Sequence, residues 1–225
     1  MAKDALAANQ LLIKRRRTLF VYVRHMPISP SLSRRQFTGT SLAAFALLAA
    51  PALASTKPKD WALTKAQLPT KLRLKTKLAP GEIHVDPNTY SLFWTLPGNK
   101  AIRYTVGVGR GDLYIPGTFH VGAKKEWPSW TPTKEMIARS PGHYAQFADG
   151  MPGGPGNPLG ARALYLFDDV RGDTFLRIHG TPDPWTIGSA VSNGCVRLVN
   201  DHVTQLYDTV PIGTRVVLYS KKSAA

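Results

Sequence analysis

From Glu82 onward the chain reads as short apolar runs punctuated by turn residues, and this punctuation constrains the fold more than any other feature. Ile83-His84-Val85-Asp86 alternates, Pro87-Asn88 breaks it, and Ser91 to Leu96 forms a second run. Pro97-Gly98-Asn99-Lys100 then turns the chain into Ala101 to Val108. Short runs rich in Val, Ile, Tyr, Phe and Trp, joined by brief turns, are the pattern of β-hairpins. Gly117 to Val121, Ala163 to Phe167, Phe175 to His179 and Thr214 to Tyr219 are further candidate strands. With 19 Gly and 18 Pro among 225 residues, a long helical bundle or coiled coil is excluded. One helix has a strong signature: Asn200 as its cap, Asp201 in the first turn, and Val203, Leu206, Tyr207 and Val210 along one face, ended by Pro211 and Gly213. A shorter helix is expected over 133–139 and a Gly/Pro-rich loop over 141–162. The expected fold is mostly β and sandwich-like, with one or two short helices.

The segment ahead of this region reads as an address. Ser33-Arg34-Arg35-Gln36-Phe37 precedes the apolar run Ser41 to Ala50 and then Ala52-Leu53-Ala54. Basic, apolar and small-residue parts in that order make an export signal over 1–54, cleaved near Ala54, and the arginine pair resembles the twin-arginine type. The apolar run is short for spanning ~30 Å of hydrocarbon, so no lasting membrane span is expected after cleavage. Residues 1–25 add a second basic cluster, Lys14 to Arg17, ahead of the signal, and Met26 is the expected translation start. The net charge of +15 falls to +8 once residues 1–54 are removed, and no DNA-reading motif accompanies it, so nucleic acid is not an expected partner. Residues 55–80 hold seven Lys/Arg and one acid, which reads as a basic linker or leading arm before a domain over 81–220 and a tail at 221–225.

Cys195 is the only cysteine, which rules out an internal disulfide framework and a Cys-rich zinc site. A lone thiol is often a buried structural group, but this one sits in Ser192-Asn193-Gly194-Cys195-Val196-Arg197. Gly194 admits close backbone approach, and a nearby cation favours thiolate, the nucleophilic form. His179 ends a candidate strand where Gly180 breaks it, which is a place for an imidazole that takes the thiol proton. His84, His120, His143 and His202 lack such a setting, and no histidine pair has metal-ligand spacing, so no metal is expected.

His179-Gly180-Thr181, Trp185-Thr186-Ile187-Gly188 and Ser192 to Arg197 closely resemble the signature of the L,D-transpeptidase catalytic domain family (YkuD-type). Tyr104 to Gly109, Pro116 to Phe119, Glu126 to Pro132 and Gly156 to Gly160 are similar to its opening strands and to loops of its Gram-negative members. The resemblance covers roughly 80–220. It implies the L,D-transpeptidase catalytic fold, a periplasmic location and no cofactor. It implies Cys195 as nucleophile, His179 as proton acceptor oriented by the Gly180 carbonyl, and main-chain N–H groups around Gly194 and Cys195 as the oxyanion hole. Asp183 and Asp201 stay open as alternative orienters. Arg197 is expected on a substrate carboxylate or bracing its loop, with Ser192, Asn193 and Thr181 lining the site. Trp127, Trp130 and Tyr144 are candidates for an aromatic cover that excludes water.

The implied reaction is acyl transfer, through a cysteine thioester, from a peptidoglycan tetrapeptide stem to an amine. The amine belongs to another stem, giving a 3→3 cross-link, to a lysine of an outer-membrane lipoprotein, or to a free D-amino acid. Water as acceptor would make the protein an L,D-carboxypeptidase. A non-catalytic wall-binding module is the remaining alternative, although such a relic would be expected to lose its thiol or imidazole, and both are present. Asn193 stands where many members have His, and Ile115 where Thr often precedes the Pro-Gly turn.

Overall fold

The computed structural model describes residues 61–222; the export signal, the cleavage position and the Met26 start lie outside the described residues. The strands, in chain order, are β1 (Thr70–Arg73), β2 (Ile83–Asp86), β3 (Ser91–Leu96), β4 (Lys100–Thr105), β5 (Val108–Gly109) and β6 (Gly117–Glu126). They continue as β7 (Arg162–Asp168), β8 (Gly172–His179), β9 (Ala190–Ser192), β10 (Val196–Arg197) and β11 (Arg215–Leu218). The helices are α1 (Lys134–Arg139), α2 (Pro141–Tyr144) and α3 (Asn200–Thr209). Nine strands form one hydrogen-bonded ladder in the order β1-β4-β3-β2-β11-β6-β7-β8-β10, and β5 pairs with β9 in a second, two-stranded one. The mostly-β architecture with few short helices is what the chain's punctuation predicts.

The alternation of apolar residues determines which side chains are enclosed. Leu92 and Tyr104 face each other across β3 and β4, and Ile83 and Val85 lie between β3 and β11, all fully buried. Leu164, Leu166, Ile178, Val196 and Leu198 extend the same core towards β10. The β3–β4 turn places Gly98 at φ +75° and Asn99 at +56°, the pair of left-handed residues that a tight hairpin needs. Helix α3 adds Val203 and Leu206 to the core while packing on β7 and β8. Lys124 of β6 donates to the Tyr207 and Val210 carbonyls, neutralising the helix C-terminus.

Three local expectations change. Within the segment expected as a linker, β1 adds an edge strand to β4, its Lys71 and Arg73 exposed as suits an unpaired sheet edge. Residues 141–147, expected as loop, instead contain α2 and a 3-10 turn over Ala145–Phe147, because Pro141 occupies a first-turn position where its missing N–H is harmless. Asn200, expected as the cap of α3, is its first helical residue, and extended Val199 precedes it. The Asn200 Oδ1 is used elsewhere, accepting the Ala161 N–H at 3.0 Å.

That side chain is a clamp between two backbone segments. A Cβ at Gly160 or Gly180 would collide with Asn200 Oδ1, and one at Gly160 would also lie 2.6 Å from the Gly180 carbonyl carbon and Thr181 N. Only glycine at both positions allows the 160 and 180 segments to meet over Asn200, and this contact fixes the end of β8. An Asn200→Ala substitution removes the Ala161 acceptor and the filler between the glycines. We expect a loss of about 1–3 kcal/mol, read as a lower unfolding midpoint in urea; an unchanged midpoint would contradict the clamp.

Candidate active site

Strands β8 and β10 run parallel, with Val196 opposite Ile178 and Arg197 opposite His179. Extending that register by one residue places Cys195, just before β10, beside Arg177. The sequence reaches this arrangement through the turn before Cys195, which Ser192 holds from inside. Ser192 Oγ donates to the Cys195 carbonyl at 2.5 Å and accepts the Gly194 N–H at 3.2 Å. Gly194 has φ +128°, and a Cβ there would lie 2.9 Å from the Leu113 carbonyl oxygen, so the turn closes only with glycine.

His179 is 4% exposed at the end of β8. Its Nδ1 lies 2.5 Å from the Gly180 carbonyl oxygen. A carbonyl only accepts, so Nδ1 carries the hydrogen, and in the neutral ring Nε2 is left as the acceptor. Among the described residues, neither Asp183 nor Asp201 bonds to the imidazole. Burial pulls the His179 pKa down to about 3, and the positive charge of Arg197 pushes the same way. The Gly180 carbonyl opposes them, Arg177 depresses it further, and the Leu159 backbone gives a smaller opposing contribution.

Cys195 keeps a partly exposed edge. Its Sγ lies 3.9 Å from the Phe175 carbonyl oxygen, to which it directs its proton. Burial pushes the thiol pKa up, against the Arg177 backbone N–H and the Arg177 and Arg197 charges. The neighbouring cations favour thiolate as expected, and burial, the larger effect, acts against them. Both shifts favour the neutral forms at rest, thiol and imidazole.

The remaining expected residues separate into groups. Arg197 donates from Nη2 to Thr186 Oγ1 at 3.1 Å, while its buried Nε has no partner. Asn193 joins the nucleophile turn to the helical segment, donating to the Tyr144 hydroxyl at 2.7 Å and accepting from Arg139 at 3.1 Å. Trp130 packs on Tyr144 and Phe147, with ring centroids 6.2 and 5.9 Å away. Trp127 is exposed where β6 ends, with no bond to this cluster. Ser192 and Thr181 are turned inward, Thr181 Oγ1 accepting the Asp183 N–H at 3.0 Å. Sequence reasoning missed Arg177, Phe175 and Asn200. Only Arg177 had a readable signal, Asp173 four residues before it on the same candidate strand region, and the two form a bidentate pair at 2.7 and 2.8 Å.

The site and its surrounding fold have relatives. The family model for the L,D-transpeptidase catalytic domain matches residues 80–218. A protein of Escherichia coli K12 described as a probable L,D-transpeptidase, YbiS, is 34% identical over 155 residues, covering 68% of this chain and 49% of that protein. ErfK/SrfK of the same organism, also described as a probable L,D-transpeptidase, is 32% identical over 152 residues, covering 66% of this chain and 47% of its own. The chain thus spans about half the length of the curated relatives it matches. A crystal structure from Brucella melitensis, described as a probable carnitine operon oxidoreductase, caia, is 47% identical and covers 73% of this chain and 97% of that one, with a TM-score of 0.47. With the family model matching well over half of its length, the chain belongs to the L,D-transpeptidase catalytic domain (YkuD) family.

Proposed function

We propose that this protein is a peptidoglycan L,D-transpeptidase, with Cys195 as nucleophile and His179 as general base. The observation that carries this reading is the His179 tautomer: Nδ1–H is committed to Gly180, so Nε2 is an acceptor on the strand adjacent to the thiol. The catalytic domain is assigned to about residues 81–220 and the export signal to 1–54. The periplasm, reached by the twin-arginine route, is then the site of action.

Because both partners rest neutral, proton transfer accompanies attack. The Cys195 proton swings from the Phe175 carbonyl to His179 Nε2 as sulfur bonds to the carbonyl carbon between the diamino acid and the terminal D-alanine. The Cys195 main-chain N–H, joined by the Gly194 N–H once it leaves Ser192 Oγ, receives the oxyanion, each such donor being worth roughly 3–4 kcal/mol of barrier. The imidazolium returns its proton to the departing D-alanine amine, and a thioester remains. An acceptor amine attacks the thioester, loses its proton to Nε2, and the thiol is released with the proton restored. Arg197, opposite His179 on the neighbouring strand, is assigned to a substrate carboxylate. The Trp130–Tyr144–Phe147 cluster, bonded through Asn193 to the nucleophile turn, shields the thioester and favours amines over water. The acceptor is an amine of another stem, a lipoprotein lysine or a D-amino acid.

Three outcomes test this. Incubated with muropeptides, the protein releases D-alanine and forms amide products; Cys195→Ala abolishes this, and His179→Ala lowers it by about 10²–10⁴-fold while both variants keep the parent's circular dichroism. Retained turnover in Cys195→Ala would end the proposal. A Trp130→Ala variant is expected to raise hydrolysis relative to transfer, and an unchanged ratio would refute the cover. Iodoacetamide reads the thiol directly. Since burial raises the thiol pKa and lowers that of His179 to about 3, alkylation should climb continuously between pH 6 and 9. A plateau in that range would instead reveal a preformed thiolate–imidazolium pair.

A further inference from the structure

Four described residues other than glycine have positive φ. Tyr90 and Asn99 lie in the turns on either side of β3, and Trp127 lies just past the end of β6. Phe175 alone is inside a strand, at φ +61°, where an L residue with a bulky side chain is disfavoured. Its ring is also 71% exposed. Two local preferences are broken at one position, and such positions cluster at functional sites.

The backbone strain has a visible cause. In the β7–β8 ladder Tyr165 faces Arg177 and Phe167 faces Asp173, so Thr174, Phe175 and Leu176 bulge opposite Leu166 alone. Side chains lock the bulge: Asp173 Oδ1 accepts the Phe175 N–H at 2.9 Å, and Thr174 Oγ1 accepts the Leu176 N–H at 3.2 Å while donating to the Leu166 carbonyl at 2.6 Å. The result is a Phe175 carbonyl aimed at Cys195 Sγ. That geometry explains the backbone, but glycine or asparagine would provide it with less strain. The ring remains unexplained by the fold, since the ring contact it makes is with the Arg177 guanidinium, 5.8 Å from its centroid.

We propose that the Phe175 ring is a substrate-contacting specificity residue, an exposed apolar platform on the residue whose carbonyl faces the nucleophile, for the methylene chain of the donor's diamino acid. The inference rests on the transpeptidase reading above. A ring face covers several adjacent carbons, which the diamino acid offers and the D-alanine methyl does not. Arg177 steadies the ring from below, itself fixed by Asp173 and by the Tyr165 ring at 4.0 Å.

The test compares Phe175→Gly, Phe175→Ala and Phe175→Leu with the parent, following D-alanine release from two tetrapeptide donors. One donor has the diamino acid at its third position and the other has alanine there. Phe175→Gly relieves the left-handed strain, so its folding is not threatened. We expect Phe175→Gly and Phe175→Ala to lose about 5- to 10-fold in kcat/KM on the diamino acid donor, carried by KM, and less than about twofold on the alanine donor. Phe175→Leu should recover most of the loss. Equal losses on both donors, or none on either, would overturn the proposal. Release of D-alanine by the parent from neither donor would instead remove the transpeptidase reading, and this inference with it.

Discussion

The hydrogen bond from His179 Nδ1 to the Gly180 carbonyl is the contact on which the rest of the site depends. It selects one of two neutral tautomers, and so decides which nitrogen can take a proton. A carbonyl performs this without bringing a negative charge, so the imidazole is oriented but not made strongly basic. The bond in turn depends on where Gly180 sits. There is no room for a Cβ there, because Asn200 Oδ1 and the Ala161 amide fill the space. A helix start, a loop glycine and a strand end thus converge on the orientation of one ring.

Burial and charge both act on the sulfur and the imidazole. For Cys195 they act in opposite directions, burial favouring the thiol and the arginines the thiolate. For His179 both favour the neutral ring. The same two guanidinium groups lower both pKa values, towards thiolate at Cys195 and towards the neutral ring at His179. Burial opposes them at the sulfur, where it favours the neutral thiol, and adds to them at the imidazole. It also keeps a strong nucleophile from being exposed before a substrate arrives, with the thiol proton turned to the Phe175 carbonyl.

Much of this was legible in the sequence where the determinant is local. Pro97-Gly98-Asn99 announces its turn, because the required dihedrals belong to those residues. The strands around it alternate as the ladder needs, and the run from Ser192 to Arg197 marks the turn that holds Cys195 beside β8. What was not legible depends on partners distant in sequence. Asn200 has the chemistry of a cap, and its use as a clamp follows from Gly160 and Gly180, which the fold delivers to it. Phe175 reads as an ordinary strand residue, since a bulge is a mismatch between two strands and β8 alone does not show it. The push of Arg197 towards thiolate is visible in sequence, whereas the burial that opposes it is not, because depth belongs to the folded chain.

Asn193 illustrates how little residue identity says without its neighbours. Many family members have His at this position, and a reading confined to the nucleophile turn treats Asn as a neutral exchange. In the folded chain its amide oxygen holds Arg139 and its amide nitrogen holds the Tyr144 hydroxyl, one from α1 and one from α2. Tyr144 also packs on Trp130, so the aromatic cluster is tied to the residue two positions before the sulfur. Opening the cluster must break bonds to the turn that positions Cys195, and disturbing the turn loosens the cluster. The aromatic cluster and the turn that holds Cys195 are thereby coupled through one side chain that can donate and accept at once. An amide does this at any ordinary pH, whereas an imidazole would make the connection depend on its protonation.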